Sequence, residues 1–274
     1  MAQKPKTFAD IAPLYLAERQ VCRLYAHNLR RLAERAGVIA ADRINRYLLA
    51  RVEKVSGITV RSERTMLLSL WRWAYESGLM DVAPRGVMRM KARRRPTKAW
   101  TVPQLQAVVA ATSKHDGKRL RSGADHGVFL RAWLLLGYET GARFGDVMSF
   151  RRDQIDGDSL SWTQSKTGDP LTRTLSPACL EAVHAMLARS PDGTICGWVA
   201  KPRQCMRIMR SHLDGCGVGG TSKFLRRSSA THCEMAQAGS GRLHLGHRSP
   251  ALFESAYCDW SQLRSKTPKP PQLM

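Results

Sequence analysis

The chain has 274 residues, enough for about two domains of ordinary size, and its 44 lysines and arginines outnumber 22 acidic residues for a formal charge of +22. An excess of that size points to a polyanionic partner, double-stranded nucleic acid first, whereas a membrane role is disfavoured because no apolar run reaches the ~18 residues of a span. Met1 to Lys6 carry charge with no apolar stretch behind it, so no secretory leader is expected and the cytoplasm and nucleoid are the expected location, and seven cysteines without a C-x-x-C pair read as reduced structural thiols.

Residues 1–100 hold 21 basic and 8 acidic side chains, and residues 101–274 hold 23 and 14, so both halves would face the polyanion. From Phe8 to Met80 apolar residues recur at three- and four-residue spacing, the signature of a small helical bundle. Leu14 and Leu16, then Leu24, Leu29 and Leu32, then Ile44, Leu48 and Leu49 are expected to line successive helices. The clearest helix runs from Thr59 to Gly78, with Met66, Leu67, Leu70, Trp71 and Ala74 as its apolar stripe and Gly78 as its stop. Lys91 to Lys98, including Arg93, Arg94, Arg95 and Pro96, has no periodicity and reads as a basic linker, either a solvated tether or a strand crossing phosphates.

A second domain begins at Trp100. Thr101 followed by Pro103 and Gln104 is a helix-start signal, and helices are expected at about 103–112 and 125–141. Two alternating segments, Leu160 to Thr163 and Leu171 to Leu175, flank the turn formers Gly168, Asp169 and Pro170 and predict a hairpin with Lys166 near its tip. Helices are expected again at about 177–188, 201–213, 222–237 and 250–264. The proline-rich last ten residues read as a tail.

Five boxes stand in order: Thr140-Gly141-Ala142-Arg143, Ser165-Lys166-Thr167-Gly168, Lys223-Phe224-Leu225-Arg226, Leu245-Gly246-His247, and Tyr257. Two planar guanidinium forks, two ammonium groups, an imidazole and a phenol suit the holding of a phosphodiester while a phenol attacks it. Order and spacing resemble the tyrosine recombinase family, the phage-type integrases, over about residues 8–264. Thr65 to Leu79 is likewise similar to the last helix of that family's core-binding domain.

The resemblance implies a mainly α fold with a small β-hairpin or sheet, divided into a helical core-binding domain (1–90), a basic linker (91–99), an α+β catalytic domain (100–264) and a tail (265–274). It implies a site-specific recombinase that cuts and rejoins DNA through a 3′-phosphotyrosyl link, as a tetramer on paired sites, with no cofactor and no metal. Arg143 and Arg226 would clamp the phosphate, Lys166 would protonate the leaving 5′ oxygen, His247 would hydrogen-bond the phosphate or leaving oxygen, and Tyr257 would be the nucleophile. Lys223 stands where the family has histidine and is a poor base at neutral pH. Asp146 would orient Arg143, and Trp260 with Leu263 would either dock on a neighbouring protomer or fold back.

Arg61, Arg64 and Arg72 on the long helix, the linker arginines 93–95, and Arg227 are the candidate DNA-backbone contacts. Nothing resembling an arm-binding domain precedes Phe8. The interval from Arg226 to His247 is shorter than usual for the family and that from His247 to Tyr257 longer. Two alternatives remain open: a type IB topoisomerase-like relaxing enzyme, and a DNA-binding module without catalysis.

Overall fold

The computed structural model describes residues 7–91 and 96–264, so the linker arginines Arg93, Arg94 and Arg95 and the tail lie outside the described residues. The chain divides into two compact units, residues 1–95 and 96–274.

The first unit holds four helices: α1 (Phe8–Glu18), α2 (Arg23–Ala36), α3 (Ala41–Val52) and α4 (Gly57–Glu76). Thr7 starts α1 with a capping box, its hydroxyl accepting from Asp10 N and its own N–H donating to the Asp10 carboxylate. Ser56 caps α4 by accepting from Thr59 N, and α4 closes past Glu76 with Leu79 N donating to Ala74 O. Phe8, Ile11, Leu29, Leu32, Ile44, Leu48, Val60, Leu67 and Leu70 are buried together with Trp71, Trp73 and Ala74.

Three of the leucines expected in this core are not there: Leu14, Leu24 and Leu49 are 48%, 69% and 54% exposed. Adjacent or alternate positions on a helix lie 100° to 200° apart, so Leu48 excludes Leu49, while Ile11 and Ala12 take the inner face of α1 in place of Leu14. Glu63 is a polar tie in this unit, accepting two hydrogen bonds from Arg51 and one from the Tyr47 hydroxyl. Burial works against its charge, but these donors outweigh it and hold the carboxyl below its usual range.

The second unit is built on α6 (His126–Glu139), whose Phe129, Leu130, Trp133, Leu134 and Leu136 are all buried because α8 (Pro177–Leu187) and α10 (Ser222–Ala236) pack on it from different sides. Before it runs α5 (Val102–Ala110), opened by a Thr101–Gln104 capping box. After it come α7 (Phe144–Ser149) and a three-stranded antiparallel sheet in the order β1 (Ile155–Asp156), β2 (Ser159–Thr163), β3 (Pro170–Thr174). Leu160 pairs with Arg173 and Trp162 with Leu171, which turns Leu160 and Trp162 into the core. The two-residue β1 carries too little alternation to be foreseen.

Helix α9 (Pro202–Gly215) precedes α10, and α11 (Ser240–His244), α12 (Pro250–Ala256) and α13 (Trp260–Arg264) follow it. The single helix expected over 250–264 is thus two. The chain breaks at Tyr257 to Asp259 because the Asp259 carboxylate accepts from Ser261 N and Oγ, opening α13, and also from Ala99 N. Thr231 Oγ1 in turn accepts from Asp259 N. Leu263 folds back on Ala230, Leu245, Phe253 and Cys258, whereas Trp260 is 41% exposed and donates to Glu254 O.

Three imidazoles meet where α9, the start of α6 and the turn after α5 come together. His212 Nε2 donates to Val108 O, so its Nδ1 accepts from His115 Nε2 at 3.3 Å, and the His115 ring lies 4.4 Å from that of His126. Among the described residues no group of three or more ligating side chains is arranged to hold a metal ion. Burial first, then neighbouring imidazoles and Lys118, hold the pKa values of His115 and His126 below their ordinary 6.5. The unfolded chain therefore binds more protons than the native one below about pH 6.5, and stability present above that pH is lost as pH falls. The melting temperature should drop between about pH 7 and pH 5, and the double substitution His115→Asn, His126→Gln should flatten that slope. Equal slopes in the two proteins would show that other groups govern acid lability.

Candidate active site

Helix α6 ends in a turn that sets two arginines at once. Thr140 Oγ1 donates back to Leu136 O at 2.5 Å and accepts from Ala142 N, and Gly141 follows in the left-handed region at φ 59°. A Cβ on Gly141 would lie 2.8 Å from both His244 Nε2 and Leu245 Cδ2, so glycine is required for conformation and for space. Arg143 then occupies the N-cap of α7 and reaches Gln164 Oε1 with Nη1 at 2.5 Å. The Asp146 carboxylate is farther from the same nitrogen, at 3.9 Å.

Asp146, 2% exposed, spends its Oδ1 on the hairpin, accepting from Ser165 N at 3.2 Å and Ser165 Oγ at 2.6 Å. The expected Asp146–Arg143 relation is present but loose, and its tighter contact is with the turn that carries Lys166. That turn is closed by Gln164, whose N–H donates to Asp169 O and whose carbonyl accepts from Thr167 and Gly168. Lys166 is exposed there. On β3, Arg173 donates to the carbonyls of Leu243 and His244, and Arg248 pairs with Asp169 at 2.6 Å, so the hairpin is fastened to the segment around His247.

Arg226, 5% exposed, lies at the centre. Its Nη1 donates to Gly141 O, its Nη2 donates to Leu245 O at 3.3 Å and to His247 Nε2 at 3.0 Å, and its guanidinium carbon lies 5.3 Å from the Tyr257 ring centre. The His247 and Tyr257 rings meet edge to face at 4.4 Å. Burial first, then the Arg143 charge, pull the Arg226 pKa down to about 10, so it remains a cation at neutral pH. His247 is pulled down to about 4 by burial, then by Arg226, Arg143 and Lys166. It is therefore neutral, with Nε2 as acceptor and the proton on Nδ1.

Three buried donors at this place have no hydrogen-bond partner among the described residues: Arg226 Nε, His247 Nδ1 and Gln164 Nε2. Unmet donors beside two guanidinium groups are groups that an oxyanion would satisfy, and the Tyr257 phenol stands next to them. Four of the six expected catalytic residues are brought together directly by these contacts or through Gln164: Arg143, Arg226, His247 and Tyr257. Lys166 acts on His247 electrostatically from the hairpin, and Lys223 is exposed in the first turn of α10.

The arginines expected on DNA divide. Arg61 and Arg72 are exposed on α4. Arg64 instead donates to the carbonyls of Met88 and Val87, fixing the segment after α4. Arg227 is half-buried, donates to Ala256 O at 3.2 Å and lies over the Phe224 ring, so it braces the end of α12 just before Tyr257 rather than pointing to solvent. Gln164 and Arg173 were not anticipated, since a lone glutamine and a strand arginine carry no signal of their own.

No protein-family model and no curated protein sequence matches the chain. Solved structures do. A lambda integrase dimer bound to a COC′ core site is similar at 18% identity with a TM-score of 0.74, covering 97% of this chain and 79% of its own. The Tn1549 transposon integrase in complex with a circular intermediate DNA gives 12% identity and 0.68, covering 96% and 99%. XerH site-specific recombinase bound to difH gives 12% and 0.64, covering 83% and 69%. The fold is that of the tyrosine recombinases. It is mainly helical with a small sheet in the second unit, as the motifs imply.

Replacing Asp146 with alanine should cost about 1–3 kcal/mol, the price of leaving the Ser165 donors and the Arg143 side chain short of an acceptor. Hydrogen exchange should quicken at the Ser165 amide well before it does in α6. Unchanged protection at Ser165 would mean that the hairpin is held by its other contacts alone.

Proposed function

We propose that the chain is a site-specific recombinase that cuts and rejoins double-stranded DNA through a 3′-phosphotyrosyl link to Tyr257. The observation that carries this reading is the packing of Tyr257 and His247 around the buried Arg226, beside buried donors that have no partner among the described residues. The net charge of +22 and the DNA in the lambda integrase, XerH and Tn1549 integrase structures support it.

In the reaction, Arg143 and the free Nε of Arg226 take the non-bridging oxygens of the scissile phosphate. The Tyr257 oxygen bonds to phosphorus as the bond to the 5′ oxygen breaks. The phenol of the half-buried Tyr257 gives its proton to solvent water, and the departing oxygen gains one from the Lys166 ammonium. Charge spreads over the equatorial oxygens in the transition state, where fixed cations in a water-poor pocket act most strongly. Neutral His247 donates from Nδ1 to a phosphate oxygen, and Lys223 contacts the backbone nearby. Religation by a second DNA end reverses these steps and conserves the bond energy.

Residues 1–90 serve as the core-binding domain, with Arg61 and Arg72 on phosphates, and the linker at 91–99 follows the backbone through Arg93, Arg94 and Arg95. Strand exchange takes place in a tetramer on paired sites, in line with a lambda integrase tetramer bound to a Holliday junction. The work is done in the cytoplasm, at the nucleoid.

A nicked suicide-substrate pool of random duplexes tests this directly. The parent chain should form a covalent adduct that peptide mapping assigns to Tyr257, and the sequences captured define the target. Tyr257→Phe should bind DNA and form none. An adduct on Tyr138 or Tyr75 would overturn the assignment, and relaxation of plasmid without sequence preference would place the chain with type IB topoisomerase-like enzymes.

Arg143→Ala and Arg226→Lys should each slow cleavage by about 10²–10³, roughly 3–4 kcal/mol, with far less than multiplicative loss in the double variant. Equal losses in affinity and in rate would make them ordinary backbone contacts.

A further inference from the structure

Gln164 follows β2 and is 1% exposed. Three of the motif segments meet on it. Its backbone closes the turn that carries Lys166, its Oε1 accepts from Arg143 Nη1 at 2.5 Å, and its Nε2 faces Gly246, where an added Cβ would lie only 2.7 Å away. Gly246 itself has φ 65°, so the Leu245-Gly246-His247 turn approaches the amide with bare backbone.

The nearest partner of Arg143 is thus a neutral amide. The alternative, Asp146, stands 3.9 Å off and has its other oxygen occupied by Ser165. The difference matters for an anion site. A carboxylate in hydrogen-bond contact would cancel the guanidinium charge in a region of low dielectric, while an amide oxygen fixes the fork and leaves the charge available. Packing alone does not account for a glutamine here, because its Nε2 is buried without a partner among the described residues, a cost an apolar side chain of the same volume would avoid.

We propose that Gln164 is a positioning residue that aims the Arg143 guanidinium at the scissile phosphate without neutralising it, and keeps it in register with the Lys166 and His247 turns. The inference rests on the recombinase reading, and two variants with two readouts separate the two. Gln164→Met keeps the volume and removes the acceptor; Gln164→Glu keeps the shape and adds charge. Both should retain the parent's melting behaviour and bind the captured target duplex with Kd within a few-fold. Single-turnover cleavage at saturating DNA should fall in both, by up to about 100-fold for a misplaced group. In an Arg143→Ala background Gln164→Met should cost nothing more.

Side-chain NMR of ¹⁵N-arginine protein supplies a readout independent of cleavage: Arg143 Nη signals should be restricted in the parent and in Gln164→Glu, and averaged in Gln164→Met. If the parent forms no covalent adduct, the recombinase reading fails, and the NMR comparison still decides whether Gln164 holds Arg143. Parental cleavage by Gln164→Met, a full multiplicative loss in the Arg143→Ala background, or unchanged Arg143 signals would overturn the positioning role. Parental cleavage by Gln164→Glu would overturn the argument from charge.

Discussion

A buried guanidinium without a carboxylate partner is the constraint to which the second unit is fitted. Arg226 is 5% exposed, and among the described residues no carboxylate lies within ion-pair distance. A cation in such a place is tolerated only if oriented dipoles replace its lost hydration. Here they are the carbonyls of Gly141 and Leu245 and the imidazole nitrogen of His247, with the Tyr257 ring beside its face. The four come from three parts of the chain, so the turn after α6, the α11–α12 connection and the end of α12 must all be in place before Arg226 is satisfied. Folding of this unit and assembly of the pocket are therefore one event.

The hairpin is tied to the same centre by a separate set of contacts. Asp146 holds Ser165, Arg173 holds the carbonyls of Leu243 and His244, and Arg248 meets Asp169. These ties fix the base of the turn and leave Lys166 itself exposed at its tip. A long side chain on a fixed base can reach a ligand from outside, which suits the proton delivery proposed for Lys166.

Much of this was legible in the residues. Turn formers located the hairpin, the Thr101–Gln104 box located α5, and three of the motifs contain the Gly141, Leu245, His247 and Tyr257 that surround Arg226. What was not legible has common physical causes. Leu14, Leu24 and Leu49 look like core residues until the helix phase is fixed by neighbours such as Ile11 and Leu48, which composition does not reveal. The break after α12 depends on Asp259 accepting from Ala99, a contact across most of the second unit. Arg64 and Arg227 read as phosphate contacts because a basic side chain looks the same in sequence whether its fork meets a ligand or a main-chain carbonyl.

The use of main-chain oxygens around Arg226 bears on how far such a protein can drift. Every amino acid supplies a carbonyl, so apart from His247, Tyr257 and the room that Gly141 must leave, the cradle asks for a path of the backbone rather than for particular side chains. Substitutions that keep the path are invisible to the bound cation. A scaffold of this kind can exchange most of its residues while the carbonyls around the cation stay put. Such drift would erase the sequence signal long before it moved the arginine.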